Sequence, residues 1–413
     1  MAIKDHYDEI AHCNHCGFCQ VACPIFRSTG HESGVARGRL ALLRAVIEGR
    51  LEWSRELEEP LFDCLLCGAC TSSCFPAIPT SDLVIKARSE YLEKVGRKSI
   101  HRLLFDQLLP YPRRLHLAAR AVALGKNTGT SRLARALGLL RIFGRDLAQA
   151  EDIIERLPAQ PFRARFKPGS YPGQGQSLRI AYFVGCGVDI VSQAAGEATL
   201  ALLKRFAKSV DIIENNCCGL PAWSYGDLEA ARRLATKNLP LLASGEHDVI
   251  ITDCSSCASF LKKYPALFAK NDSGLQEAAQ AAAKRVRDVS EWLLEAAAPS
   301  SLLLRGKRVT FHDPCHASRG QKLVKPPREI LHRIPGAEFV ELPEADWCCG
   351  GAGSYAMSHF DLAMQVLDRK MGNLKKTGAE VLVTTCPACI IQLSYGVRRH
   401  GLKVDVRHLT EII

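Results

Sequence analysis

Eighteen of the 413 residues are cysteine, and they fall into four groups. The first reads Cys13-x-x-Cys16-x-x-Cys19-x-x-x-Cys23 with Pro24 next, and the second reads Cys64-x-x-Cys67-x-x-Cys70-x-x-x-Cys74 with Pro76 two residues on. Two-residue gaps let a tight loop turn three successive thiolates onto one [4Fe–4S] cluster, while the fourth cysteine reaches across to a neighbouring cluster. The expected ligand sets are Cys13, Cys16, Cys19 and Cys74 for one cluster, and Cys64, Cys67, Cys70 and Cys23 for the other. Zinc sites also use C-x-x-C pairs, but a third cysteine at the same spacing and a fourth before proline is not their pattern. Gly17 and Gly68 follow the second cysteine of each run, where a close cluster would penalise a Cβ. Pro24 and Pro76 are expected to stop the loops from continuing as helix.

The third and fourth groups supply five cysteines each: Cys186, Cys217, Cys218, Cys254 and Cys257, then Cys315, Cys348, Cys349, Cys386 and Cys389. A cubane cluster needs four thiolates. The fifth could bridge irons, await a substrate or play no part, and spacing does not decide among these. A single buried thiol is often only a small core residue, but ten at matched positions argue for metal or redox work.

The elements that must position these groups show an internal repeat of about 120 residues. LRIAYFVG precedes Cys186 and KRVTFHDP precedes Cys315; VDIIEN and EFVELP follow a helical run in each half. The pairs Cys217-Cys218-Gly219 and Cys348-Cys349-Gly350 come next, then an amphipathic helix, then DVIITD or EVLVTT running into C-x-x-C. The tails VRDVSEWL and VRHLTEII agree as well. Strands alternating with helices predict a mostly parallel α/β unit, duplicated about a pseudo-two-fold axis, with cysteines at the strand ends where such sheets place ligands. Upstream, Gly38 to Trp53 carries apolar residues at helical spacing and is expected to connect the first two cysteine loops. From Arg97 to Lys167 there are 15 Lys or Arg against 5 Asp or Glu, nearly the whole net charge of +11. That stretch reads as basic amphipathic helix: either a solvated linker, or a contact for an anionic membrane surface or an acidic partner. Phe166 to Ser177, rich in Pro and Gly, is expected to close it. The fold class expected is α+β: an α-helical dicluster ferredoxin-type domain over 1–95, a basic helical linker over 96–177, and CCG cysteine-rich α/β repeats over 178–300 and 301–413.

The double ferredoxin run followed by two CCG motifs resembles the iron–sulfur subunit family of glycolate oxidase, related D-lactate and anaerobic glycerol-3-phosphate dehydrogenases, and heterodisulfide reductase. Locally the likeness is greatest at Ala36 to Gly49 (ARGRLALLRAVIEG) and at CCGGAGSY from Cys348. The resemblance implies two ferredoxin-type [4Fe–4S] clusters and one or two further clusters, which the CCG cysteines of the heterodisulfide reductase branch can hold in noncubane form. It implies an electron-transfer subunit of a flavin-linked 2-hydroxyacid (glycolate or D-lactate) dehydrogenase. Such a subunit would take electrons from an FAD-containing partner subunit and pass them to quinone, electron-transfer flavoprotein or another carrier. The alternative is catalytic reduction of a disulfide at a CCG-bound cluster. Both halves keep all five cysteines, which leaves that alternative open.

Other signals carry less. MAIKDHYDEI lacks a basic region followed by an apolar stretch, so no secretory signal is expected; grouped thiols then suit a reducing cytoplasm. No uncharged apolar run reaches the ~18 to 20 residues of a membrane span, so any membrane contact is expected to be peripheral. Gly351 to Ala356 fits G-x-G-x-x-A, but a cysteine pair separates it from the preceding strand, so those glycines are read as making room for a cluster rather than a dinucleotide. His312 and His316 flank Cys315 and could supply a proton relay or a ligand beside the fourth group, with a satisfied structural role as the default for them. His12 and His15 flank the first run, as surface histidines or as hydrogen-bond partners that tune its potential. Basic residues without interleaved aromatics exclude a nucleic-acid reader.

Overall fold

The computed structural model describes residues 3–268, 272–296 and 303–413. The expected boundary between the two repeats, at 300/301, lies outside the described residues.

In the N-terminal block, Gly17 (φ 86°) and Gly68 (φ 73°) adopt left-handed backbone and start the short helices Phe18–Ala22 and Ala69–Ser72. Cys23 is extended between two helices, and Pro24 opens the second, Pro24–Thr29. The proline therefore breaks one helix by starting another, as its fixed φ and missing N–H favour at a first helical position. The connecting helix is Ala36–Ile47, shorter than the apolar run suggested. Leu40 and Leu43 on it pack with Leu83, Ala87 and Tyr91 of Thr80–Lys94 in a small separate core.

The basic segment folds back on the molecule as a series of helices, including the 16-residue Pro112–Asn127 and the shorter Thr130–Ala136. Arg97 pairs with Asp106 and Asp227, Lys126 with Glu151 at 2.6 Å, and His116 with Asp189 at 2.7 Å. The Pro/Gly segment does not close a linker. Gly169–Pro172 forms strand β1, antiparallel to the strand over Ser209–Ile212. Gly173 and Gly175 let the chain run against the carbonyls of Ala207 and Phe206, where an added Cβ would lie about 2.0 and 1.9 Å away. The sheet domain thus begins earlier than 178.

After β1 come β2 (Arg179–Tyr182), β3 (Ser209–Ile212), β4 (Val249–Thr252) and β5 (Val286–Asp288). The second half has β6 (Arg308–Phe311), β7 (Glu338–Phe339), β8 (Val381–Thr384) and β9 (Asp405–His408). The sheet orders are β1-β3-β2-β4-β5 and β7-β6-β8-β9, and every pairing except β1 with β3 is parallel. Without β1 the orders coincide element for element. Central strands such as β4 (VIIT) and β8 (VLVT) are almost wholly apolar because helices cover both faces. Each of β2, β4, β6 and β8 ends a few residues before a cysteine.

The matched tails explain themselves as caps. Asp288 accepts from the Ser290 N–H, and His408 Nδ1 accepts from the Thr410 N–H at 3.2 Å while Nε2 donates to the Asp253 carbonyl at 2.8 Å. The second bond ties the two halves together. Burial holds His408 down to about 4. Its folded value lies below the unfolded one near 6.5, so its contribution is full above pH 6.5 and is lost as pH falls toward 4. The expected loss is about 3 kcal/mol. Urea unfolding at stepped pH should show this extra acid sensitivity in the natural protein and not in His408→Gln; parallel profiles would refute it.

Candidate functional site

All eighteen cysteines lie among the described residues, and none forms a disulfide. Near the N-terminus, Cys13, Cys16, Cys19 and Cys74 line one small cavity of about 30 Å³, together with Cys70, Gly17, Arg37 and Pro76. The first run and the last cysteine of the second run therefore meet. Cys23 is buried and interacts electrostatically with Cys64, while Cys70 interacts with both. Cys67 stands at the edge of this second set, facing Cys348 and Cys70. Burial pushes Cys70 up to about 12, so its thiolate needs a nearby positive charge.

Arg39 meets that need and Arg88 stands beside Cys64, and neither arginine was singled out from the sequence. Arg39, only 2 % exposed, lies among Cys23, Cys64 and Cys70, and its Nη2 has no protein partner. Arg88, also buried, donates to the carbonyls of Leu61 (2.8 Å) and Cys64 (2.7 Å) and to Ser224 of the first repeat. A guanidinium is suited to this by its five donors in a fixed plane. Arginine bound to main-chain carbonyls leaves no pairing partner to find in a sequence.

In the two repeats the thiols form a continuous series. Cys186 and Cys217 have their sulfurs 4.0 Å apart. Cys217 neighbours Cys218, which neighbours Cys257, which neighbours Cys254. Cys254 then meets its counterpart Cys386, and the order runs back through Cys389, Cys349 and Cys348 to Cys315. Cys315 in turn faces Cys67. Nine of these ten thiols line one cavity of about 750 Å³, shared with Cys64, Arg88, His312, His316 and the aromatic residues Phe62, Tyr91, Phe105 and Tyr225.

Backbone geometry is shaped around these sulfurs. A Cβ on Gly185 would sit 3.1 Å from Cys257 Sγ, and one on Gly351 would sit 3.5 Å from Cys349 Sγ. Gly219 (φ 99°) and Gly350 (φ 85°) take left-handed backbone directly after each cysteine pair. Gly351 thus serves the cysteine site, as expected, and the motif opens no helix at its glycines. His12 and His15 are exposed; the His15 carbonyl accepts from Arg37 at 3.1 Å. His316 Nδ1 lies 3.2 Å from Ser256 Oγ, which lies 3.3 Å from Cys386 Sγ, so His316 has a partner. His312 is buried, and beside the Ala345 carbonyl neither ring nitrogen makes a hydrogen bond of good geometry. The satisfied histidine expected there is at most weakly bonded.

Closely spaced, buried, unlinked thiols are costly as thiolates unless a cation gathers them. Iron–sulfur clusters require this donor set, and the glycine cradles and the Arg39 guanidinium fit them. Among the described residues, no helix is long and apolar enough to cross a membrane.

Residues 180–262 and 309–394 match the CCG cysteine-rich domain, residues 9–78 match a 4Fe-4S dicluster domain, and residues 96–154 match the linker region of the glycolate oxidase iron-sulfur subunit. The chain is 32 % identical to the probable glycolate oxidase iron-sulfur subunit of Bacillus subtilis (strain 168), over 99 % of this chain and 95 % of that protein. It is 29 % identical to the glycolate oxidase iron-sulfur subunit of Escherichia coli (strain K12), over 97 % and 92 %. Lactate utilization protein A of Macrococcus caseolyticus is 31 % identical over 57 % of this chain and 96 % of its own length.

Proposed function

Because this chain belongs to the family of glycolate oxidase iron–sulfur subunits, we propose that it is the electron-relay subunit of a flavin-linked 2-hydroxyacid dehydrogenase, glycolate or D-lactate in class. Its partner is an FAD-containing subunit, and quinone or another carrier accepts the electrons. Iron–sulfur clusters held by the four cysteine groups supply reversible one-electron chemistry. The protein's own residues do the rest. Cys13, Cys16, Cys19 and Cys74 hold one cluster; Cys64, Cys67, Cys70 and Cys23 hold the next; the two CCG sets hold one each. The repeats sit about a pseudo-two-fold axis, supported by the matching strand orders and by the contact between the equivalent cysteines Cys254 and Cys386.

The observation that carries this reading is the unbroken adjacency of sites, from Cys16 at the surface through Cys67 and Cys348 to Cys186. Arg39 and Lys370 offset negative charge beside the inner sites. Mixing the natively purified protein with the partner flavoprotein and hydroxy acid should reduce its clusters. Purification without a flavoprotein, and no change in cluster signal on that mixing, would overturn the reading. The shared cavity also supports a second reading, disulfide reduction between the two repeats. Reduced protein should then turn over low-molecular-weight disulfides, and Cys218→Ser or Cys349→Ser should abolish the turnover.

The linker serves as a peripheral contact with an anionic membrane. Its surface presents Leu117, Leu124, Leu133, Leu137 and Ile142, the last 80 % exposed, between exposed Arg113, Arg120, Arg132 and Arg141. Apolar side chains flanked by arginines match an acyl boundary beneath acidic headgroups. Liposomes with acidic lipid should co-sediment the protein, and neutral ones should retain much less. A Leu133→Ser, Leu137→Ser double variant is expected to lower binding roughly tenfold, from about 1.4 kcal/mol of lost burial. Equal sedimentation of variant and natural protein would count against this contact.

A further inference from the structure

The two repeats differ at the position three residues before their first cysteines. His312 follows β6 and corresponds to Phe183, which follows β2 at the same distance before its cysteine. Both are sealed from solvent, at 1 % and 0 % exposure. The fold accepts an apolar ring there, so the imidazole is not a packing requirement. Its backbone is fixed, with the N–H on the Val383 carbonyl (2.9 Å) and the carbonyl on Thr384 Oγ1 (3.1 Å). Its ring nitrogens make no hydrogen bond of good geometry, since the Ala345 carbonyl beside them is already taken by the Asp313 N–H and Lys370 Nζ, and such under-satisfied polar atoms are costly in a protein interior. One ring nitrogen and the sulfurs of Cys349 and Cys389 all lie within 4.8 Å of one another. Two thiolates and an imidazole at such separations can converge on one metal ion.

We propose that His312, Cys349 and Cys389 form a mixed nitrogen–sulfur donor set for one iron of the second repeat's cluster, a ligand environment the first repeat lacks. The inference rests on the reading that these cysteines hold iron. Where the His312 imidazole takes an iron position that a thiolate fills in the first repeat, the loss of one anionic ligand raises the reduction potential of the centre. A second difference acts in the same direction. Gly219 abuts Ala231 and Leu234 as Gly350 abuts Ala363 and Val366, which places Asn238 and Lys370 at equivalent positions. Asn238 donates to the Cys217 carbonyl, whereas buried Lys370 brings an ammonium group, held by the Glu344 and Ala345 carbonyls, beside the second cysteine pair. The second site is therefore the easier of the two to reduce.

The test compares holoprotein grown with ¹⁵N-histidine and with unlabelled histidine by pulsed EPR during stepwise reduction, with iron counted on the same samples. A strongly coupled histidine nitrogen should appear on one cluster signal, titrating at higher potential than the other repeat's. His312→Phe should remove the coupling and shift that midpoint down, while His316→Gln keeps both. A fully iron-loaded natural protein with no strong histidine coupling, or a coupling that survives His312→Phe, would overturn the proposal. Absent iron would instead fail the underlying reading.

Discussion

Replacing Arg88 by alanine is expected to destabilise the protein by about 4 kcal/mol and to strip iron from the site of the second cysteine run. Burial draws the guanidinium down to about 10, which still leaves it charged at neutral pH. It binds the carbonyls of Leu61, Phe62 and Cys64 and thereby fixes the chain leading into the first ligand of that run. Removing it leaves several buried carbonyls without a donor, each costing on the order of 1 kcal/mol or more. It also cuts the bond to Ser224 that holds the N-terminal block against the first repeat. Arg88→Lys keeps a charge but cannot span four carbonyls from one plane, so it should recover only part of the loss. Denaturant unfolding and iron content read both effects; a loss under about 1 kcal/mol with iron retained would contradict this role.

The second large effect is crossed. Cys23→Ser should remove about four irons, and they should come from the cluster of the second run rather than from that of its own. Cys23 is buried beside Cys64 and Cys70, while Cys74 shares its cavity with Cys13, Cys16 and Cys19. The EPR spectrum of Cys23→Ser should accordingly match that of Cys67→Ser and differ from that of Cys16→Ser. Cys74→Ser should do the reverse. If each substitution affected only its own run, the assignment would be wrong.

The cysteine groups were legible because ligand chemistry fixes their spacing, and duplication preserved the offset between Cys186 and Cys315 to within a few residues of that between Cys257 and Cys389. The central strands were legible because burial on both faces leaves only apolar runs such as VIIT and VLVT. Strand β1 was not, since Gly169–Pro172 has no strand pattern of its own and is a strand only through pairing with β3. Arg39 and Arg88 were hidden because what they bind is main chain or thiolate far away in sequence. Nor could spacing show that His312 lacks a well-formed hydrogen bond, that Cys254 meets Cys386, or that Cys67 faces Cys348. Those are properties of packing between elements, and only the folded chain contains them.

The central claim is that the four cysteine groups gather iron. Iron and acid-labile sulfide counted on anaerobically purified protein test it most directly. Four occupied sites require about 16 of each per chain, in a brown protein whose signals appear on reduction. Colourless protein that carried zinc, or no metal at all, would contradict the account.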